Sequence, residues 1–108
     1  MLAGDNTGLN TNIRNKIIEL IISHKEVNKI VLFGSRANNT ANKTSDIDIA
    51  IFSEKWSRKD INLVKNLLEN EIKTPLKFDL LNFDTISKIS LKKDIIKEGK
   101  ILYESKKN

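Results

Sequence analysis

Apolar side chains recur at the three- and four-residue spacing of an amphipathic helix in three stretches of the chain. The first stripe is formed by Ile13, Ile17, Leu20 and Ile21. Thr11 or Asn12 offers a side-chain oxygen that can cap the free backbone amides at the start of this helix. The pattern ends near His24, the only histidine, for which a surface or capping role at the helix end is expected rather than catalysis. We therefore predict a first helix with one buried face.

The second and third helical stretches carry clearer end signals. Ser57 is a suitable N-cap, and Asp60 follows three residues later, which is the spacing of a capping box. The buried face of this second helix is formed by Ile61, Val64, Leu67, Leu68 and Ile72. Asp84 or Thr85 can cap the last helix, and Gly99 is expected to end it.

Two other stretches have the patterns of β-strands. The apolar run from Ile30 to Phe33 is typical of a strand that is covered on both faces, and Gly34 ends it abruptly. Between residues 45 and 51, polar and apolar side chains alternate, which places Asp46 and Asp48 on one face and isoleucines on the other. Two carboxylates therefore share a face near the start of this strand.

A third strand is predicted over residues 76–81. Phe78 and Leu80 lie on one of its faces and Asp79 on the opposite one, so Asp79 can share a face with the two earlier aspartates. The resulting order of elements fits a small α/β (α+β) domain. We predict a mixed sheet with helices mainly on one face and the functional site on the other, open face.

The paired carboxylates of Asp46 and Asp48 are costly unless a cation lies beside them. Two carboxylates about 4 Å apart repel each other by roughly 4 kcal/mol at an effective dielectric constant of about 20. Magnesium removes this penalty, because it takes carboxylate, phosphate and water oxygens as ligands. An Asp-x-Asp pair also arises by chance in exposed strands, and a lone acid such as Asp79 is usually a surface residue. The Gly-Ser turn upstream favours the metal hypothesis.

The turn at Gly34 and Ser35 has the composition of a phosphate-binding element. Gly34 lets the backbone approach a triphosphate closely, and the Ser35 hydroxyl and the adjacent amides can donate to its oxygens. Arg36 can contact phosphate through its guanidinium group or equally form a surface ion pair. Lys43 lies either near phosphate or in solvent. We predict Gly34, Ser35 and Arg36 as phosphate-binding residues.

Together these residues resemble the nucleotidyltransferase superfamily of the DNA polymerase beta type. The Gly34-Ser35 pair, ten intervening residues, the Asp46-x-Asp48 pair and the later Asp79 match the motifs of that superfamily in type and order. The chain is most similar to its smallest members, the minimal nucleotidyltransferases that accompany HEPN proteins. The likeness covers nearly the whole sequence and implies the small polymerase beta-like fold.

The resemblance also implies a metal-dependent reaction. Asp46, Asp48 and Asp79 would be the catalytic and metal-ligating residues, with two Mg²⁺ ions and with ATP as the substrate. Gly34, Ser35 and Arg36 would be the nucleotide-binding residues. This chain has Asn39 where the family commonly has glycine, and the turn is expected to survive because Asn tolerates positive φ. The family implies that AMP is transferred to a tyrosine of a HEPN toxin. The chain would then be the antitoxin of a type VII-like toxin-antitoxin pair.

Two other classes of function stay open at this point. A non-catalytic antitoxin or subunit would mask its partner by contact alone, although the presence of all three acids argues against it. Nucleotidyl transfer to a small molecule or a nucleic acid is the other alternative. A chain of 108 residues offers no second lobe to enclose a small acceptor, which favours a protein acceptor.

Length and composition bear on the number of domains and on nucleic-acid binding. With 108 residues and 12.3 kDa the chain has the size of one domain. We assign this domain to residues 9–104, between a flexible N-terminus at 1–8 and a frayed tail at 105–108. The net charge of +5 is spread along the helices and only 6% of the residues are aromatic, so direct nucleic-acid binding is not expected.

The content of cysteine and the lengths of the apolar runs bear on location. The chain has no cysteine, which excludes disulfides and thiolate chemistry and agrees with a reducing compartment. No apolar run approaches the length of a membrane span. We expect a cytoplasmic protein that acts with a protein partner, as a homo- or hetero-oligomer.

Overall fold

Three helices are present among the residues that the computed structural model describes, which are 9–34, 46–74 and 76–106. They are α1 (Thr11–His24), α2 (Arg58–Glu71) and α3 (Ile89–Glu98). None of these described helices combines the length and the apolar content needed to cross a membrane.

The described strands form one mixed sheet, as predicted. They are β1 (Lys29–Phe33), β2 (Ile47–Phe52), β3 (Phe78–Asn82) and β4 (Lys100–Glu104). They lie side by side in the order β3, β2, β1, β4. β1 is antiparallel to both β2 and β4, whereas β2 and β3 are parallel and are connected by α2. β3 begins at Phe78, two residues later than the apolar pattern indicated.

The larger hydrophobic core lies between α1, α2 and one face of the sheet. Its fully buried side chains include Ile17, Ile21, Ile30, Leu32, Ile47, Ile49, Ile51, Val64 and Leu68. The helical members come from the stripes predicted for α1 and α2, and the strand members alternate along β1 and β2. Each such side chain contributes about 1.5–3 kcal/mol by leaving water, so this core supplies most of the driving force for the fold.

A smaller core on the opposite face of the sheet corrects one prediction. Val31, Phe33 and Ala50 are buried there beneath Ile95 of α3. Two of the helices do lie on one face, but the second face is not open, because α3 covers its centre. Ala50 is fully buried whereas Asp48, two residues earlier on the same face, is partly exposed. The ends of β2 and β3 that carry the aspartates stay accessible beside α3.

The helix caps were predicted only in part. The N-cap of α1 is Asn10, whose Oδ1 accepts a hydrogen bond from the Ile13 amide at 2.8 Å. The prediction of Thr11 or Asn12 as the cap was therefore wrong by one or two residues. Asn10 is equally suited by its chemistry, because its short amide side chain reaches the free backbone donors of the first turn.

The predicted and observed ends of α3 differ more than those of α1. The two residues predicted as its caps, Asp84 and Thr85, lie instead in a 3₁₀ turn over Phe83–Thr85. α3 begins later, after Lys88, which makes no side-chain capping bond. Gly99 does end the helix, but in an extended conformation with φ of −66°. Glycine is needed there because a Cβ atom would collide with the backbone of α3 itself.

The capping box of α2 is present as predicted, and it also joins α2 to α1. The Asp60 carboxylate accepts from the Ser57 amide at 2.7 Å and lies 2.9 Å from both His24 Nε2 and Lys25 Nζ. These hydrogen bonds, that to the Ser57 backbone foremost, hold the pKa of Asp60 well below its usual range. His24 also meets the edge of the Trp56 ring, with centroids 5.1 Å apart. His24 is thus part of a junction between two helices rather than a simple helix end.

Candidate active site

The accessible edge of the sheet is built where β1 ends and β2 begins. β1 finishes at Phe33, and Gly34 then takes a φ of +78°, a left-handed conformation that favours glycine. Phe33 lies opposite Asp48 in the antiparallel pairing of β1 and β2. The carboxyl end of β1 and the amino end of β2 therefore meet at one edge.

The third strand brings another carboxylate to the same edge. Asp79 is the direct neighbour of Asp48 in the parallel pairing of β2 and β3. Neighbouring strands lie about 4.8 Å apart, and side chains in register point to the same face. Asp46 is the exposed residue immediately before β2, at the same end of the strand. The fold thus gathers Asp46, Asp48 and Asp79 at one corner of the sheet.

Gly34 and Asp48 fit against each other more closely than the sequence indicated. A Cβ atom built on Gly34 would collide with Oδ2 of Asp48. The absent side chain of Gly34 therefore leaves the room that the carboxylate occupies. Sequence reasoning assigned Gly34 to phosphate approach only. The pairing of β1 with β2 is enough to reveal this second role of Gly34, because the residue after Phe33 must pass close to Asp48, the partner of Phe33.

The Asp48 carboxyl is electrostatically perturbed at this corner. Its partial burial, followed by repulsion from Asp79 and then from Asp46, raises its pKa from 3.8 to about 6. Burial and like charges both disfavour the charged form of a carboxyl group. A functional group with this shift is typical of sites that bind cations or transfer protons.

We predict that ionisation of Asp48 destabilises the domain when metal is absent. The pKa of the Asp48 carboxyl is higher in the folded state than in the unfolded state. Its contribution to the free energy of unfolding is therefore fully present below about pH 4 and is lost as the pH rises through about 6. In EDTA, Asp48→Asn should match the wild-type melting temperature at pH 4 and exceed it at pH 7.5. Allowing for solvent screening at this partly exposed site, the gain is about 1 kcal/mol. A difference in melting temperature between Asp48→Asn and the wild type that is equal at both pH values would contradict the raised pKa of Asp48.

Several residues predicted for the site lie outside the part of the chain that the structure describes. These are Ser35, Arg36, Asn39 and Lys43. Their roles stay predictions. Gly34, Asp46, Asp48 and Asp79 are described, and all four come together at one corner.

The oxygen donors at this corner are of the kind that magnesium prefers. Among the described residues, no three carboxylate, imidazole or thiolate groups already form a closed cage for one ion. Magnesium does not need such a cage, because it usually takes one or two carboxylates and completes its shell with phosphate oxygens and water. The mutual repulsion that raises the pKa of Asp48 is the penalty that a bound cation would remove. The residues therefore fit a magnesium-triphosphate ligand.

Comparison with known protein families gives an assignment for this arrangement. The model of the family described as polymerase beta, nucleotidyltransferase matches residues 15–108. This chain belongs to that family. The match spans every described strand of the sheet and the corner that holds Asp46, Asp48 and Asp79. It confirms the resemblance found in the sequence. No curated protein sequence gives a significant match to this nucleotidyltransferase.

Solved structures share the fold of this nucleotidyltransferase over most of its length. A toxin-antitoxin complex with AMP-PNP aligns with a TM-score of 0.74 and 26% identity, covering 86% of this chain and 74% of the other. A mutant of the toxin-antitoxin MntA-HpeT aligns with a TM-score of 0.73 and 25% identity, covering 91% and 75%.

A more distant likeness shows the fold alone. It is to a complex of the tri-AMPylated Shewanella oneidensis HEPN toxin with its MNT antitoxin, with a TM-score of 0.71 and 23% identity, covering 90% of this chain and 74% of the other. The predicted polymerase beta-like fold of this nucleotidyltransferase is confirmed by these neighbours.

Proposed function

We propose that this nucleotidyltransferase transfers AMP from ATP to a tyrosine hydroxyl of a HEPN-family toxin and is the antitoxin of that toxin. The observation that carries the proposal is the corner where Asp48 and Asp79 stand side by side next to Gly34. Structural neighbours supply the partner class, since they include a toxin-antitoxin complex with AMP-PNP and an AMPylated HEPN toxin bound to an MNT antitoxin.

Each residue of the corner has a proposed part in the reaction. Asp46 and Asp48 would hold magnesium together with the triphosphate, and Asp79 would complete the acidic set next to the acceptor. The bound magnesium ions would neutralise charge on the phosphate oxygens. The acceptor oxygen forms a bond to the α-phosphorus while the bond to pyrophosphate breaks, and the hydroxyl proton passes to a base or water. The products are an AMP ester and pyrophosphate.

The exposure of the corner supports a macromolecular acceptor. Asp46 and Asp79 are exposed and Asp48 is only partly covered, although α3 buries the neighbouring Ala50. A side chain on the surface of another protein can therefore approach the acids from solvent. Among the described residues, no wall closes over this corner in the way that usually encloses a small-molecule acceptor.

A direct transfer assay tests the proposal. The chain is incubated with magnesium, ATP labelled at the α-phosphate and a candidate HEPN-family protein of the same organism. Label and a mass increase of one AMP are expected on a tyrosine of the HEPN protein, and only when all components are present. Labelling that persists without magnesium, or that needs a nucleic acid instead of the HEPN protein, would contradict the proposal.

We predict that magnesium and ATP bind cooperatively to the free domain. The three carboxylates repel an ATP molecule that lacks metal, whereas a magnesium triphosphate reduces the repulsion on both sides. Melting is measured with ATP alone, with magnesium alone and with both, since a ligand that binds only the folded state raises the melting temperature. Both ligands together should raise it by more than the sum of their separate effects, and a merely additive increase would rule out a shared site.

A further inference from the structure

Three isoleucines are the most exposed large apolar side chains among the described residues. The exposed fractions are 67% for Ile89, 70% for Ile96 and 52% for Ile101. Only two other large apolar residues of the described part of the chain are comparably exposed, Leu63 at 49% and Ile22 at 40%, and both lie on helices of the opposite face. Exposed apolar groups that cluster mark an interaction site more often than scattered ones do.

The three residues belong to one side of the molecule. Ile89 and Ile96 are seven residues apart on α3 and therefore lie on the same side of that helix. Ile101 pairs with Val31 across β1 and β4, and Val31 packs in the core beneath α3. Paired residues point to the same face of a sheet, so Ile101 lies on the face that α3 covers. We call Ile89, Ile96 and Ile101 the isoleucine surface.

The charges around the isoleucine surface indicate what can bind there. Residues 88–106 contain six lysines and three acidic residues, a net charge of +3 out of the +5 of the whole chain. A second copy of this chain would bring the same positive charge and be repelled. Nucleic acid would be attracted by the lysines but would gain nothing from three exposed isoleucines. A protein segment with apolar residues flanked by Asp and Glu complements both properties.

The isoleucine surface also lies close to the transfer site. β4 is separated from β2 by β1 alone, so Ile101 lies two strands, about 10 Å, to the side of Ala50, which is two residues along β2 from Asp48. A partner seated on α3 and β4 would rest beside the aspartate corner on the same face of the sheet. Docking there can hold a flexible acceptor segment near the acids.

We propose that the isoleucine surface is the docking site for the acceptor protein, and that the docked segment presents apolar side chains flanked by acidic ones. This inference rests on the proposed function, because the acceptor is taken to be the HEPN protein. Docking and chemistry then use different residues: the isoleucines set the affinity for the partner, and the aspartates perform the transfer.

The test measures partner affinity and transfer separately. Ile96→Asp should weaken binding to the HEPN protein at least tenfold in calorimetry, and Ile96→Lys should weaken it less, because only the aspartate repels acidic groups. The matched control is Leu63→Asp, which places the same charge at an exposed apolar site on α2 and should change affinity less than twofold. Ile96→Asp should raise KM for the HEPN protein while kcat and the ATP-dependent melting shift stay as in the wild type.

Each alternative outcome has a definite meaning. Unchanged affinity of Ile96→Asp, an equal loss for Leu63→Asp, or no binding of the HEPN protein to the wild type would overturn the docking proposal. A wild-type dimer that Ile96→Asp converts to a monomer would identify a self-interface instead, and a selective loss of oligonucleotide binding would identify a nucleic-acid surface. Affinity lost as expected, with no AMP transfer by the wild type, would support the docking site and refute the proposed function.

Discussion

Replacing Asp48 with asparagine is expected to abolish nucleotide transfer while leaving partner binding intact. Asparagine keeps the shape of the side chain but removes the negative charge that we propose binds magnesium. Loss of about 4 kcal/mol of transition-state stabilisation corresponds to roughly a thousandfold slower transfer. The domain should remain folded, since repulsion from Asp79 and Asp46 is relieved.

The measurement combines mass spectrometry of the partner with a protection assay in cells. Asp48→Asn should bind the HEPN protein with wild-type affinity, leave it unmodified and fail to protect cells from it; if residual transfer remains, the double variant with Asp46→Asn should remove it. Asp84→Asn, an exposed acid in the 3₁₀ turn, serves as the control and should behave as the wild type. Full protection by Asp48→Asn would instead establish an antitoxin that acts by contact alone.

Gly34→Ala is expected to slow transfer about a hundredfold with only a modest loss of stability. The new Cβ atom would meet Oδ2 of Asp48, the movable end of a side chain, so the carboxylate would rotate away instead of the fold breaking. A displacement of about 1 Å at a reacting group can cost about a hundredfold in rate. The left-handed conformation, with φ of +78°, adds a cost in stability of about 1–2 kcal/mol for alanine.

A double-mutant cycle separates the two effects of Gly34→Ala. In an Asp48→Ala background the carboxylate is gone, so Gly34→Ala should cost only the backbone term in urea unfolding. In the wild-type background the cost should be larger, and the difference measures the contact between the two side chains. Equal costs in both backgrounds would show that Gly34 matters for its φ value alone.

Sequence patterns predicted the larger core but not the cover of the smaller one. The stripe of α1 and the alternation along β2 predicted which side chains are buried, because these periods follow from local backbone geometry. The capping box of Ser57 and Asp60 was predicted for the same reason, since it involves residues only three apart. The cover of α3 on the second face was missed, because a helical pattern shows which side of a helix is buried and not which face of a sheet it meets.

The sequence by itself determined the kind of chemistry this protein can perform. Spacing placed Asp46 and Asp48 on one face of a strand, and the type and order of the motif residues indicated a nucleotidyltransferase before any fold was known. What only the tertiary structure decided is how the acids come together. Asp79 is 31 residues from Asp48 in sequence, and the parallel crossover through α2 makes them direct neighbours. Long-range pairing of this kind depends on the packing of both cores, so no local pattern contains it.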